Sequence, residues 1–446
     1  MKKAVTSSRL FREPIRDGDD RNEFQRDRDI ILYSSALQRL STTTQVVSGE
    51  SGYVFHNRLT HTLQVAQVGR RLAEKLIIRQ KSLAEQHGVN PDVVEAACLA
   101  HDLGHPPFGH LTEIELNSLV RNRRSIQGFE GNAQSFRIVT ALAFRSERFL
   151  GLNLTKRTLR AILKYPWTYS GRPKNKSNKW GAYNSELRHF QAAVGKSGYG
   201  PYARSAEAEL MDWADDLTYA IHDAEDFYRA GLIPLHLLRP APYPGAPNLG
   251  ERERFLQYVA NNRKRIPELT GTSDTELSEI LEDILESFFL LSTPYQGTRE
   301  DRGKLRLFTS QLVNRYINGI SLIPMTMDGQ VVAANINFKK EIALLKQLTW
   351  YYVIDAPGLT LQQYAQRKII ANLYEVFLNE AQKDPPSILL PPYYRERLKA
   401  GKKDATNRPE RVVIDLIAGM TESRAILTYR KLNGIEMPTG LDRMVL

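Results

Sequence analysis

The chain has 446 residues, long enough for a large core and for two or three domains, and its 42% apolar, 25% charged composition is that of an ordinary globular protein. No window holds the roughly 18 apolar residues that a membrane span needs, and the N-terminal segment lacks the apolar centre of a signal peptide. With 61 Lys and Arg against 50 Asp and Glu, the net charge of +11 favours phosphates, nucleotides or nucleic acid as partners without choosing among them.

Residues 1–20 carry Arg9, Arg12 and Arg16 among polar neighbours and read as a loose basic arm. Ile30, Ile31, Tyr33, Ala36, Leu37 and Leu40 then recur at helical spacing. The stretch from Thr42 to Phe55, broken by Ser48-Gly49-Glu50-Ser51-Gly52, reads as a short hairpin. An amphipathic helix follows through Leu63, Val65, Ala66, Val68, Leu72 and Leu76, with Thr60 as the candidate cap and His61 in its first turn. Val93 to Ala100 is an apolar run that reads as a buried helix. Its Cys98, the single cysteine, forms no internal disulfide and fits a reducing cytoplasm as a small core residue.

That run ends in His101-Asp102-Leu103-Gly104-His105-Pro106-Pro107-Phe108-Gly109-His110. A neutral imidazole and a hard carboxylate on adjacent residues can converge on one divalent cation, and polar groups ending a buried helix need such a partner. Leu111 to Val120 reads as helix, Arg121 to Ser125 as a basic loop, and Phe129 to Phe144 as another helix. Residues 165–204 change texture. Lys164, Arg172, Lys174, Lys176, Lys179, Arg188, Lys196 and Arg204 alternate there with Tyr165, Trp167, Tyr169, Trp180, Tyr183, Tyr199 and Tyr202. Such a loop-rich insertion suits phosphate or stacked bases, or else packs its rings on the core.

A further helix from Ala206 to Tyr228 places Asp215, Tyr219 and Asp223 at i, i+4 and i+8, on one face. After a Pro-rich connection (Pro234 to Pro247) come more helices and a two-stranded excursion at Ile320–Pro324 and Val331–Ile336. Helical pattern covers about 338–354 and 360–383, and a last helix runs from Arg411 to Thr421. His61, His101, Asp102 and Asp215 thus offer two imidazoles and two carboxylates, a set suited to Mn, Mg, Fe, Co, Ni or Zn. His110 and Glu113, i and i+3, are a candidate base and its orienting group, and His105 a candidate phosphate donor.

Five stretches together resemble the HD superfamily of metal phosphohydrolases, and within it the bacterial dGTP triphosphohydrolases. They are Asn57-Arg58-Leu59-Thr60-His61, His101 to His110, Phe129-Glu130-Gly131-Asn132-Ala133-Gln134, Ala214-Asp215-Asp216-Leu217-Thr218-Tyr219, and Ile417-Ala418-Gly419-Met420-Thr421. The resemblance implies a mainly α fold: an HD-domain helical core over 21–230 with one or two small β-hairpins and the 165–204 insertion. A C-terminal helical region, 231–446, would complete the nucleotide pocket. It implies release of a deoxynucleoside and tripolyphosphate from a dNTP, dGTP foremost. One divalent ion would sit on His61, His101, Asp102 and Asp215, with His110, Glu113 and His105 catalytic. Arg58, Tyr219, Asp223, Gln45 and Asn132 would hold substrate, Arg58 at the α-phosphate and Tyr219 with Asp223 at the deoxyribose.

The resemblance further implies a cytoplasmic homo-oligomer, a hexamer, with a dNTP effector and single-stranded DNA as modulators. Lys304, Arg306 and Arg315 are the cations picked for the remaining phosphates. The family's Arg-Arg-Leu-x-x-Lys-Thr-Gln-Val pattern appears here as Gln38-Arg39-Leu40-Ser41-Thr42-Thr43-Thr44-Gln45-Val46, short of one Arg and one Lys. Two rivals are a nucleotidase or phosphodiesterase on the same site, and a nucleic-acid-binding protein with a vestigial one.

Overall fold

A computed structural model of the chain describes residues 8–14, 17–43, 56–121, 126–174, 178–195, 202–239, 250–287, 293–355, 357–400 and 407–437. The fold is mainly α, as expected. Its one sheet among these residues is an antiparallel pair, β1 (Ile320–Leu322) and β2 (Val332–Ala334). The helices that position the site are α1 (Glu23–Leu32), α2 (Arg58–Arg79), α3 (Pro91–Ala100), α4 (His110–Arg121), α5 (Gly131–Arg137), α6 (Lys156–Ile162) and α7 (Ala206–Arg229). Beyond them lie α8 (Arg299–Asn318), α9 (Ile336–Thr349), α10 (Pro357–Ala381), α11 (Pro409–Ala418) and α12 (Glu422–Leu432).

The centre is α2, α3 and α7, each packed on the other two, with α9 against the far side of α7. Gly69 of α2 lets α3 come close: a Cβ there would lie 2.6 Å from the Cys98 sulfur. A helix-interior glycine gives up about 1 kcal/mol of propensity relative to alanine, which the close crossing offsets. Cys98 is buried and free, as the apolar run predicts. α3 is opened by Asn90, whose side chain accepts from the Asp92 and Val93 amides, with Pro91 in the first turn.

The boundary expected at 231 is no break in the core, because the larger apolar cluster runs from Ile31 to Val353. A second cluster joins Leu116, Val120 and Phe129 to residues between Ile370 and Ala425, so α4 rests on α10 and α11. The arm expected to be loose is pinned at 8–14: Arg9 pairs with buried Asp27, and Phe11 exchanges two hydrogen bonds with Asn153. The cap of α2 is Asn57 rather than Thr60, its Oδ1 accepting from the Thr60 amide at 2.9 Å. The expected final helix, Arg411 to Thr421, ends as α11 at Ala418, and a further helix not expected from the sequence, α12, follows after Gly419–Thr421. The hairpin expected at 42–55 lies almost wholly outside the described residues.

Candidate active site

Two helix ends and the middle of a third helix meet. In the first turn of α2, Arg58 and His61 face inward and are buried. His101 and Asp102 follow the last turn of α3, and Asp215 comes from α7. One ligand atom each from His61, His101 and Asp102 lies within 4.8 Å of the others. Asp215 completes the set, its Oδ1 3.2 Å from His61 Nε2 and 3.5 Å from His101 Nε2.

The set fits a divalent cation. His101 Nδ1 donates to the Cys98 carbonyl at 2.6 Å, which fixes the tautomer and leaves the Nε2 lone pair facing the carboxylates. That Nε2 is buried and makes no hydrogen bond, although Asp102 Oδ1 is 3.3 Å away. Charge balance agrees. Burial opposes protonation of His101, yet Asp102 and Asp215 raise it to about 9, so the cluster draws positive charge inward. Arg58 meets part of that demand from the other side of Asp102, at 2.6 Å from Oδ2.

The neighbouring group is built differently. His110 opens α4 with its side chain 72% exposed, and its Nδ1 lies 3.1 Å from Glu113 Oε2. The His105 ring stands edge-on to His110 and lies 3.0 Å from Asp102 Oδ1, joining the two groups. Buried under Arg58, His105 is pushed down to about 4 and stays neutral. Lys179 bonds both Glu113 and Glu130 at 3.1 Å. Against burial, His110 and Lys179 hold Glu113 far below the usual carboxylate range, while burial and Glu113 lift Glu130 to about 6. Glu113 thus orients the His110 ring and has Lys179 as its own counter-ion, an arrangement that could serve as a general base.

Gly104 makes the junction possible. A Cβ there would come within 2.1 Å of the Gly131 carbonyl, so α5 docks directly on the turn. Ser135 locks it, accepting from the Gly104 amide and donating to the His101 carbonyl. Asn132 reaches the rim and donates to Glu130 at 2.8 Å. Tyr219 stands edge-on to His61, and Asp223, buried one turn on, is raised to about 7 by burial despite the Tyr219 hydroxyl. Gln45 lies outside the described residues.

Lys304, Arg306 and Arg315 are not gathered here. Arg315 binds Glu341 at 2.7 Å, and Lys304 pairs with Glu300 on its own helix. The cations in place are Lys164, 2.6 Å from Asp212 and 3.3 Å from Asp215, and Lys179. Lys164 borders the basic insertion and Lys179 lies within it, where their charge was legible but their target was not. Among the described residues most of the insertion's rings pack on the protein, while Tyr202 is exposed. Trp167, Trp180 and Tyr183 are buried against Ala133, and Tyr165 and Tyr169 pack on them.

Two family models match the chain: the HD domain over residues 58–220 and the phosphohydrolase-associated domain over 332–431. A deoxyguanosinetriphosphate triphosphohydrolase-like protein of Streptomyces coelicolor is 36% identical over 93% of each chain. Proteins of the same description from Corynebacterium efficiens and Shewanella sediminis are 34% and 30% identical, covering 92% and 95% of their own lengths. No helix among the described residues is long and apolar enough to cross a membrane.

Proposed function

Because the chain belongs to the deoxyguanosinetriphosphate triphosphohydrolase-like family of metal-dependent HD-domain hydrolases, we propose that it cleaves deoxynucleoside triphosphates into a deoxynucleoside and tripolyphosphate. The observation that carries this reading is the adjacency of a four-residue cation site to an exposed, carboxylate-oriented histidine, with two lysines beside them.

In the proposed reaction a water oxygen bonds to the α-phosphorus, the bond to the 5′-oxygen breaks, and a proton ends on that oxygen. His61, His101, Asp102 and Asp215 would hold a divalent cation, which would supply Lewis acidity toward the phosphoryl group. His110 carries the proton, with Glu113 holding its ring through Nδ1. Arg58 orients the α-phosphate from beside Asp102, and His105, its Nδ1 3.0 Å from Asp102 Oδ1, lines the same side. A triphosphate carries about four negative charges, so charge-assisted donors are required. Lys164 and Lys179, beside Asp215 and Glu113, supply that positive charge. Tyr219 and Asp223 meet the deoxyribose, and Asn132 the rim of the substrate.

Incubation with each dNTP and Mn or Mg, followed by product chromatography, tests the reading. Tripolyphosphate appearing in step with deoxynucleoside is expected, with dGTP the first substrate to try. Orthophosphate, pyrophosphate or a nucleoside monophosphate as first product would give the site to a different nucleotide hydrolase.

A further inference from the structure

The Ile417–Thr421 motif lies outside the reaction described above, yet it touches the turn that carries His110. Phe108 and Gly109, the two residues before His110, both take left-handed backbone angles, φ 62° and 59°. For a bulky side chain that conformation is unusual and must be held from outside. The Phe108 amide donates to Glu422 Oε1 at 3.1 Å, and its ring packs on the C-terminal apolar cluster. On the other side of the turn, Arg39 divides its guanidinium. One nitrogen donates to the Leu103 and His105 carbonyls at 2.7 and 2.8 Å, the other to the Met420 carbonyl at 3.3 Å. Thr421 caps α12 between these contacts, its Oγ1 accepting from the Arg424 amide. The segment that meets the turn is therefore fixed at a helix start.

We propose that Met420–Glu422 and Arg39 form a brace that aims His110, which makes Arg39 and Glu422 positioning residues for the reaction. The inference rests on the role given to His110 above. It accounts for the surviving arginine of the Gln38-Arg39-Leu40 stretch, whose guanidinium goes to backbone carbonyls, and for the C-terminal motif. A shift of about 1 Å in a catalytic group can reduce rate about 100-fold, so a brace acts on kcat and leaves binding alone.

The test uses the full chain with Mn. In Glu422→Ala, hydrogen exchange at the Phe108 and His110 amides should quicken at least about tenfold. Its kcat should fall about 10- to 100-fold while KM and bound metal stay at wild-type levels. Glu422→Gln, which keeps an acceptor oxygen, should restore most of both. Arg39→Met should mimic Glu422→Ala, and the double variant should lose less than the product of the two. Unchanged Phe108 exchange in Glu422→Ala would overturn the brace. So would a lowered Tm with unchanged kcat, or loss of metal in step with rate. Exchange is read on the free protein, so a failed brace is told apart from a wild type that hydrolyses no dNTP.

Discussion

His61, His101, Asp102 and Asp215 are gathered from three segments and largely sealed from solvent, whereas His110 stands mostly exposed at the start of α4. The first group is placed by packing. α2, α3 and α7 cross closely, and each ligand follows from the register of its helix. The second is placed by polar contacts: Glu113 on its ring, Lys179 on Glu113, and Glu422 on the preceding turn. One end of the pocket is thus set by helix packing and could hold an ion; the other is set by polar contacts around an exposed histidine. Variants should separate the two.

The largest effect is expected at the packed end. Asp102→Ala should lose bound metal and turnover together, by about 10³- to 10⁴-fold, since a Lewis-acidic ion contributes several kcal/mol to such a step. Metal analysis beside steady-state rates checks it, and turnover surviving without metal would break the contrast. His110→Ala comes next: metal content unchanged, kcat lower by about 10²- to 10³-fold. Metal lost from this variant would mean that the two ends are one site.

Lys179→Met sharpens the comparison further. It removes the cation shared by Glu113 and Glu130, leaves two buried carboxylates facing each other, and should lower kcat about 10- to 100-fold with metal retained. The last contrast is read in stability rather than in rate. With Asp223 raised to about 7, the native state keeps a proton that the unfolded chain releases above its ordinary 3.8. Stability therefore falls as pH rises from about 4 to 7, by up to about 4 kcal/mol. Asp223→Asn should flatten that slope in Tm, and an unchanged slope would place the proton elsewhere.

The packed end was largely legible in the sequence. The apolar run ending in His-Asp points to a site by itself, while His61 in a first helical turn and the acid–phenol–acid stripe of Asp215, Tyr219 and Asp223 at i, i+4 and i+8 gain weight only beside it; the candidate ligands read at helical register do meet. The polar end was legible only as far as His110 and Glu113, which share a turn. Lys179 lies 66 positions from Glu113 and belongs to a segment without periodicity, so no pattern announces that contact. Lys164 is hidden likewise, and the cations picked instead sit on α8, where Glu300 and Glu341 hold two of them. The rings of the insertion show the same difficulty: alternation of Tyr, Trp and Lys fixes no direction, and Trp167, Trp180 and Tyr183 turned inward while Tyr202 did not.

Arg137 is fully buried between Glu186 and Asp415, and Asp415 also takes hydrogen bonds from Gln134 and Arg397. The two family-matched segments therefore share one dry electrostatic knot, and the earlier one is not portable. A chain ending near residue 400 would strand a guanidinium whose main counter-ion had been cut away, and would strip the α11 and α12 side chains from the apolar cluster that α4 and α10 share. Excision of the HD segment as a minimal catalyst should give aggregate, and a working short form would have to carry α10 to α12 with it.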